Sequence, residues 1–395
     1  MIYNEFAGER ISALGFGTMR LPLKEDGKTI DRDLAFKMVD YALENGVNYF
    51  DTAVPYHSGM SEIVIGDALS RHPRESFLLA DKFPGHQPAD SYDPAATFET
   101  QLRRCKVDCF DFYLMHNITE SSWDVYSNPE HGILKYFVEQ KKLGRIKHLG
   151  FSSHAELELL RTILDSEYGE HMEFCQIQLN YLDWTLQKAR EKCDLLASRN
   201  IPVWVMEPLR GGKLANLCER HTDMLKGLRP DESTAAWGFR WLQDFPEVKV
   251  VLSGMSDMNQ MVDNIKTFEE RKPLTGSEKD ALAQIAEDLK SSVPCTGCRY
   301  CCDGCPMALD IPTLVAAYND LSVQFSLTPM MRLESMPEEK RPHSCIGCGA
   351  CTGICPQKID VPKIMEDLAA IYDRSPKWSE ICVQRAAEAA KIKED

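Results

Sequence analysis

Short apolar runs alternate with amphipathic stretches along the first 290 or so residues. The runs are Ile11–Gly17, Val47–Asp51, Phe77–Lys82, Phe110–His116, His148–Ser152, Phe174–Asn180, Ile201–Met206 and Val248–Ser253. Between them, apolar residues recur at helical spacing over Leu34–Glu44, Ser61–Arg71, Ala95–Cys105, Ile133–Lys142, Ala155–Leu164, Leu186–Ser198 and Ser233–Leu242. Met258–Lys266 and Ser277–Leu289 close the series, and Gly46 and Gly144 stand where helix C-caps belong. Strands this continuously apolar predict a parallel sheet buried on both faces. Eight βα units in about 290 residues predict an α/β fold of the (β/α)8 TIM-barrel type. An open doubly wound sheet would want a phosphate-binding turn after its first strand, and Gly15-Phe16-Gly17-Thr18 lacks the G-x-G-x-x-G spacing. Ile2–Glu9 alternates in polarity and predicts a hairpin ahead of the core.

Past Ser291 the pattern changes to cysteine and proline punctuation with short helices, which divides the chain into a barrel over 1–290 and a small, mainly helical domain over 291–395. Of the 15 cysteines, nine fall at 295, 298, 301, 302, 305, 345, 348, 351 and 355. They form an internal repeat: Cys295, Cys298, Cys301, Cys305, Pro306, Asp310 and Pro312 recur fifty positions later as Cys345, Cys348, Cys351, Cys355, Pro356, Asp360 and Pro362. Each run reads C-x2-C-x2-C-x3-C-P and leads into an amphipathic helix, Ile311–Leu321 or Val361–Tyr372. In two-cluster ferredoxins the fourth cysteine of such a run serves the other cluster. The expected ligand sets for two [4Fe-4S] clusters are therefore Cys295, Cys298 and Cys301 with Cys355, and Cys345, Cys348 and Cys351 with Cys305. Structural zinc prefers two separated C-x2-C pairs around one ion. Cys302 offers a second frame for the first run, C-x2-C-x3-C-x2-C, so the choice of Cys301 rests on its match to the second run.

Composition narrows the setting. Met1–Arg10 shows no secretory signal, and clustered cysteines without one read as metal ligands in a reducing cytoplasm. No apolar run approaches the roughly 20 residues that span a bilayer. A net charge of −15 argues against nucleic acid and anionic membrane as partners.

In a barrel of this kind, chemistry gathers at the C-terminal ends of strands. Asp51, Lys82 and His116 end the second, third and fourth runs, and Tyr56 lies in the loop after the second. A lysine there is costly to bury unless paired, and Asp51 is its natural partner. A cation beside a phenol favours the phenolate, and moving Tyr56 from about 10 toward 7 corresponds to roughly 4 kcal/mol. That shift would make it a proton donor or acceptor at neutral pH, with His116 orienting a substrate carbonyl. Taken singly, the four have plainer readings: a snorkelling lysine, a satisfied core histidine, a capping aspartate and a core tyrosine.

These residues occur within Gly15-Phe16-Gly17-Thr18-Met19, Phe50-Asp51-Thr52-Ala53 with Tyr56, Lys82, and Leu114-Met115-His116. Gly150-Phe151-Ser152-Ser153, Pro208-Leu209-Arg210-Gly211-Gly212-Lys213-Leu214 and Ser253-Gly254-Met255-Ser256 continue the series. Over roughly residues 1 to 290 the sequence resembles the aldo-keto reductase family, and its tail resembles that of a subgroup with a ferredoxin domain. The resemblance implies an NADP- or NAD-dependent oxidoreductase that interconverts a small-molecule carbonyl and alcohol. Its tetrad would be Tyr56 as general acid, Lys82 and Asp51 as its tuners, and His116 as orienter. It further implies a nicotinamide cofactor near Gly17, Thr18 and Met19, with its carboxamide on Ser152, Ser153 and Gln176 and its ring beside Met206. The pyrophosphate would face Pro208, Leu209, Gly212 and Leu214, and the adenosine end Gly254, Ser256, Gln260 and Asn264. Ser153 stands where many members have Asn, Met206 where an aromatic ring is frequent, and Gln260 where an Arg often meets the 2′-phosphate; neither NAD nor NADP is singled out.

Hydride transfer moves two electrons and a [4Fe-4S] cluster takes one, so joining them ordinarily needs a splitter such as flavin. Nothing in the sequence identifies a flavin site. The open arrangements are a separate flavoprotein as redox partner protein, a flavin held between domains, and clusters with a structural or sensing role. An electron-transfer or redox-sensing subunit, whose barrel binds nicotinamide without turnover, is the alternative to an enzyme. Asn117–Glu130 and Glu219–Asp231 are expected as substrate-shaping loops, with Trp123 as a pocket wall.

Overall fold

The strands lie where the apolar runs lie. In the computed structural model, which describes all residues except 88, 90, 218, 291, 292, 294, 296–299, 324, 326, 356–358 and 395, ten strands are formed among the described residues. They are β1 Tyr3–Phe6, β2 Glu9–Ser12, β3 Leu14–Gly17, β4 Tyr49–Asp51, β5 Leu78–Phe83, β6 Phe110–Ile118, β7 Ile146–Ser153, β8 Cys175–Gln178, β9 Val203–Met206 and β10 Val248–Ser253. β3 to β10 close into an eight-stranded parallel barrel, β10 pairing with both β9 and β3.

The predicted hairpin is present, but it borrows from the first apolar run. β1 pairs antiparallel with β2, Tyr3 opposite Ser12 and Phe6 opposite Glu9, so Ile11 and Ser12 finish the hairpin and only Leu14–Gly17 enters the barrel. Its purpose is visible in Phe6. That ring lies 5.1 Å from Trp204 and from His148, and it also meets Phe112 and Phe174. These rings come from the early parts of their strands or just before them, so they fill the N-terminal end of the barrel with apolar surface. The C-terminal end is left for chemistry. Gly15 permits this filling, since a Cβ there would come within 2.7 Å of Leu252 and 2.8 Å of Val250.

Around the barrel, α1 (Arg32–Glu44), α2 (Met60–Leu69) and α3 (Pro94–Cys105) follow β3, β4 and β5. Asp31 and Asp93 cap α1 and α3 by accepting the amides of Leu34 and Ala96. Gly46 and Gly144 adopt φ of +86° and +75° just after their helices, as the spacing predicts. One expectation fails here and another is modified. Glu219–Leu228 is a helix rather than a loop, because His221 and Leu225 share a buried face. Asn117–Glu130 contains the short helix Trp123–Ser127, and the half-buried Trp123 packs edge-on against Tyr168 beside the core, with ring centroids 5.5 Å apart.

β4 is much shorter than its neighbour. It ends at Asp51, opposite Ala80, whereas β5 continues to Phe83.

The chain divides into two compact units, Met1–Ala281 with Gln384–Asp395, and Leu282–Val383. In the second, the cysteine repeat is also a structural repeat. The short helix Tyr300–Asp303 packs on Ala350–Ile354, and the long helix Ile311–Val323 packs on Val361–Arg374. Leu314, Ala317, Met330, Leu333, Met365 and Leu368 are fully buried between the halves and Leu327–Ser335. Among the described residues no helix is long and apolar enough to cross a membrane.

Candidate active site

The ends of β4, β5 and β6 bring the four predicted residues together. The Lys82 side chain is fully buried, and Asp51 is 2 % exposed. Lys82 Nζ donates to Asp51 Oδ1 at 2.5 Å, to the Thr52 carbonyl at 2.6 Å and to the Tyr56 hydroxyl at 3.4 Å. Tyr56 opens a tight turn in which His57 (φ +49°), Ser58 (φ +55°) and Gly59 (φ +89°) are all left-handed. Such strain in non-glycine residues persists only where surroundings hold it. Here His57 Nε2 accepts the Leu21 amide at 3.0 Å. Ser61 Oγ joins the hydroxyls of Thr52 and Thr18 at 2.9 Å and 2.6 Å, and Thr18 donates to the Asp51 carbonyl.

Burial opposes every charge at this site. It pulls Lys82 toward neutrality, but Asp51 and then Tyr56 outweigh it and hold the ammonium above its ordinary range. The expected lowering of Tyr56 is corrected by the structure. Burial raises the phenol more than Lys82 lowers it, with Asp51 adding to the rise, so Tyr56 is held as the protonated acid. His116 is 9 % exposed, and its ring lies 5.9 Å from Tyr56 and 4.6 Å from His86. Burial, then His86 and Lys82, hold it well below the usual histidine value, so it is neutral. His86, which sequence reasoning missed, is pulled down to about 3, chiefly by burial, and its Nδ1 meets the His116 carbonyl at 3.2 Å. Its signal in the sequence was only a histidine four residues beyond Lys82.

The expected cofactor residues line the same end of the barrel. Ser152 stands opposite Gln176 in the β7–β8 ladder. Gln176 is 3 % exposed, and its Oε1 has no hydrogen-bond partner among the described residues. Such an orphaned acceptor fits a carboxamide N–H. Ser152 Oγ accepts the Asn117 amide, and Ser153 Oγ is spent on the Ile118 carbonyl and the Ala155 amide. Gly17 ends β3, the exposed Met19 follows Thr18, and Met206 ends β9 half-buried. Pro208 and Leu214 are buried on a loop bent by left-handed residues Glu207, Arg210, Gly211 and Gly212; the amides of Gly212 and Leu214 both return to the Leu209 carbonyl. Just past the end of β10, Gly254 lies against Arg20, and Ser256 Oγ donates to the Arg20 carbonyl. Gln260 Oε1 accepts the Ser256 amide, and Asn264 donates to Ser253, so both are engaged within their own segment.

In the second unit, one pocket is lined by Cys305 together with Cys345, Cys348 and Cys351. Pro306, Met307, Leu309, Ile346 and Met365 make its wall apolar. Cys305 comes from the first repeat and the other three cysteines from the second. Cys301 and its repeat counterpart Cys351 are both 8 % exposed, whereas Cys302 is less buried. Cys295 and Cys355 pack against the same core, and Cys298 lies outside the described residues. Among the described residues no three His, Cys, Asp or Glu side chains converge on a point suited to a single ion.

A parallel barrel with an Asp–Lys–Tyr–His group at its C-terminal mouth, Tyr56 half-buried and the other three buried, defines a class of oxidoreductases, and comparison with known proteins makes the class specific. The chain belongs to the aldo/keto reductase family, which it matches over residues 13–287, and residues 294–359 match a 4Fe-4S dicluster domain. It is 28 % identical over 305 residues to an uncharacterized oxidoreductase, YrpG, of Bacillus subtilis (strain 168), covering 66 % of this chain and 89 % of that one. It is 26 % identical over 208 residues to an NADH-specific methylglyoxal reductase of Escherichia coli (strain K12), covering 48 % and 61 %. Among solved structures, the aldo-keto reductase AKR11C1 of Bacillus halodurans superposes with a TM-score of 0.58 at 24 % identity, covering 72 % of this chain and 96 % of that one. An aldo/keto reductase of Klebsiella pneumoniae in complex with NADP and acetate gives 0.57 at 21 % identity, covering 71 % and 93 %.

Proposed function

We propose that the barrel reduces a small-molecule carbonyl to an alcohol, and runs the reverse, with NADH or NADPH as cofactor. The observation that carries this reading is the reach of one buried ammonium, Lys82 Nζ, to both Asp51 and the Tyr56 hydroxyl. When bound, the nicotinamide supplies or takes up the hydride at the substrate carbon. The chain supplies the proton. Tyr56, protonated before reaction, gives its proton to the carbonyl oxygen, and the phenolate left behind is stabilised by Lys82. Asp51 keeps that lysine charged and in place. Neutral His116 offers a ring N–H to the same oxygen and orients it without competing for the proton. Gln176 Oε1 and Ser152 would hold the carboxamide, with Met206 beside the ring.

The second unit holds, on this reading, two [4Fe-4S] clusters. Cys305, Cys345, Cys348 and Cys351 serve one; Cys295, Cys298, Cys301 and Cys355 serve the other. They exchange single electrons with a redox partner protein.

The test is nicotinamide-dependent turnover of a panel of aldehydes, ketones and sugars by the parent and by Tyr56→Phe. Removal of the general acid is expected to lower kcat by about 10²- to 10⁴-fold. Equal rates in the two proteins would refute the reading.

A further inference from the structure

The end of β4 leaves a gap in the barrel, and the way the gap is filled concerns Lys82. In a parallel ladder the N–H and C=O of one residue face the same neighbour, and the next residue faces the other way. On β5, the amide of Leu78 donates to Asn48 and the carbonyl of Ala80 accepts from Thr52, so Leu78 and Ala80 face β4. Lys82 faces the same side by parity. β4 stops at Asp51, and the Thr52 carbonyl, the natural acceptor for the Lys82 amide, is taken by Lys82 Nζ at 2.6 Å.

Side chains outside the barrel wall replace the missing strand. The Lys82 amide donates to Asp81 Oδ1 at 2.8 Å, and the Lys82 carbonyl accepts from Gln101 Nε2 at 2.9 Å. Both partners are fixed in turn. Tyr113 OH donates to Gln101 Oε1 at 2.6 Å, which sets the direction of that amide. The Cys105 thiol meets Asp81 Oδ2 at 3.6 Å. Glu62, from α2, accepts from Arg104 at 2.8 Å, and its charge acts on Asp81. Asp81, Glu62 and Tyr113 are fully buried, and Gln101 is 1 % exposed. The closeness of α2 to α3 depends on Gly66, where a Cβ would lie within 3 Å of the Arg104 and Cys105 backbones.

We infer that Asp81 and Gln101 are positioning residues for Lys82: by standing in for the absent end of β4 they free the Thr52 carbonyl to hold the ammonium. The inference rests on the proposed role of Lys82 and Tyr56. Charge accounting sets the form of the network. Arg104 balances one carboxylate, Glu62, at 2.8 Å, so the adjacent Asp81 carries a proton. Burial, and then the charge of Glu62, hold its carboxyl well above the usual range. A protonated Asp81 accepts from the Lys82 amide through Oδ1 and meets the Cys105 thiol through Oδ2, without adding a second negative charge beside Glu62. An asparagine can do the same.

The test uses full-length protein with its clusters, in four forms: parent, Tyr56→Phe, Asp81→Asn and Gln101→Leu. Gln101→Leu is expected to lower kcat by about 10- to 100-fold with KM for the nicotinamide within about twofold. With the ammonium displaced, its pH–kcat profile should move to higher pH, because Tyr56 loses the cation that lowers it. Asp81→Asn should keep the parent profile. Thermal melts and nicotinamide binding show whether each variant is folded; if Gln101→Leu is unfolded, Gln101→Asn, which shortens the same arm, takes its place. Parent-like kcat and pH profile in the folded Gln101 variant, or an Asp81→Asn profile shifted like that variant's, would overturn the inference. Parent-like turnover in Tyr56→Phe would instead overturn the reading beneath it.

Discussion

Asp51 Oδ1 and Lys82 Nζ lie 2.5 Å apart on neighbouring strands, with 3 % and 0 % of their side chains exposed. Removing one member leaves the other buried without its counter-charge, which costs about 3–5 kcal/mol. Lys82→Met is therefore expected to unfold at lower denaturant by about that amount and to lose the proton-transfer step. A folded Lys82 raised above its ordinary value adds stability that is present below the unfolded value and fades as pH rises through the folded one. The gap between parent and variant should thus hold at neutral pH and narrow at strongly alkaline pH, as read by urea denaturation.

His86 and His116 are both kept neutral in the fold, His86 down to about 3. The unfolded chain binds protons there and the folded chain does not. Stability should fall as pH drops below the ordinary histidine value of 6.5 and continue falling toward about 3. His86→Gln should flatten that slope in melts recorded across the window. The acid limb of kcat should contain no histidine titration between about pH 5 and 8.

Asp81 titrates in the opposite sense. Its carboxyl is held well above the usual value of 3.8, so the fold favours the protonated form. Its contribution is complete below that ordinary value and declines as pH rises toward the folded one. Asp81→Asn is expected to remove this decline, so that the melting temperature of the variant changes less than the parent's between mildly acidic and alkaline buffer.

The shared pocket of Cys305, Cys345, Cys348 and Cys351 makes a clear analytical prediction. Parent protein should carry iron near eight per chain, Cys305→Ser or Cys348→Ser should lose about half of it, and Cys302→Ser should lose none. Zinc in place of iron would refute the cluster assignment.

The barrel was legible because its strands are buried on both faces and its helices on one, so hydrophobic period alone separates them. Asp51, Lys82 and His116 were legible as polar residues closing apolar runs. Asp81 was present as a carboxylate inside Leu78–Phe83, but a sequence does not say that Glu62 stands beside it or that Gln101, from a separate helix, takes the Lys82 carbonyl. The split of the first run at Ser12 was hidden because hairpin and barrel strand are equally apolar there. The raised phenol of Tyr56 was misread because burial depth outweighs the neighbouring cation, and depth is a tertiary quantity. Glu219–Leu228 was misread because its charged residues mask a narrow buried stripe.

The three-residue length of β4 reaches beyond this one lysine. Because the second and third βα units share a single set of polar arms behind the wall, neither can be exchanged with a relative's as an independent module. A chimera that transplants β5 with its helix would carry Asp81 and Gln101 but leave Glu62 behind, and a recombination point placed in the loop between α2 and β5 would cut through the support of the proton donor. Crossovers that respect this boundary belong before β4 or after α3.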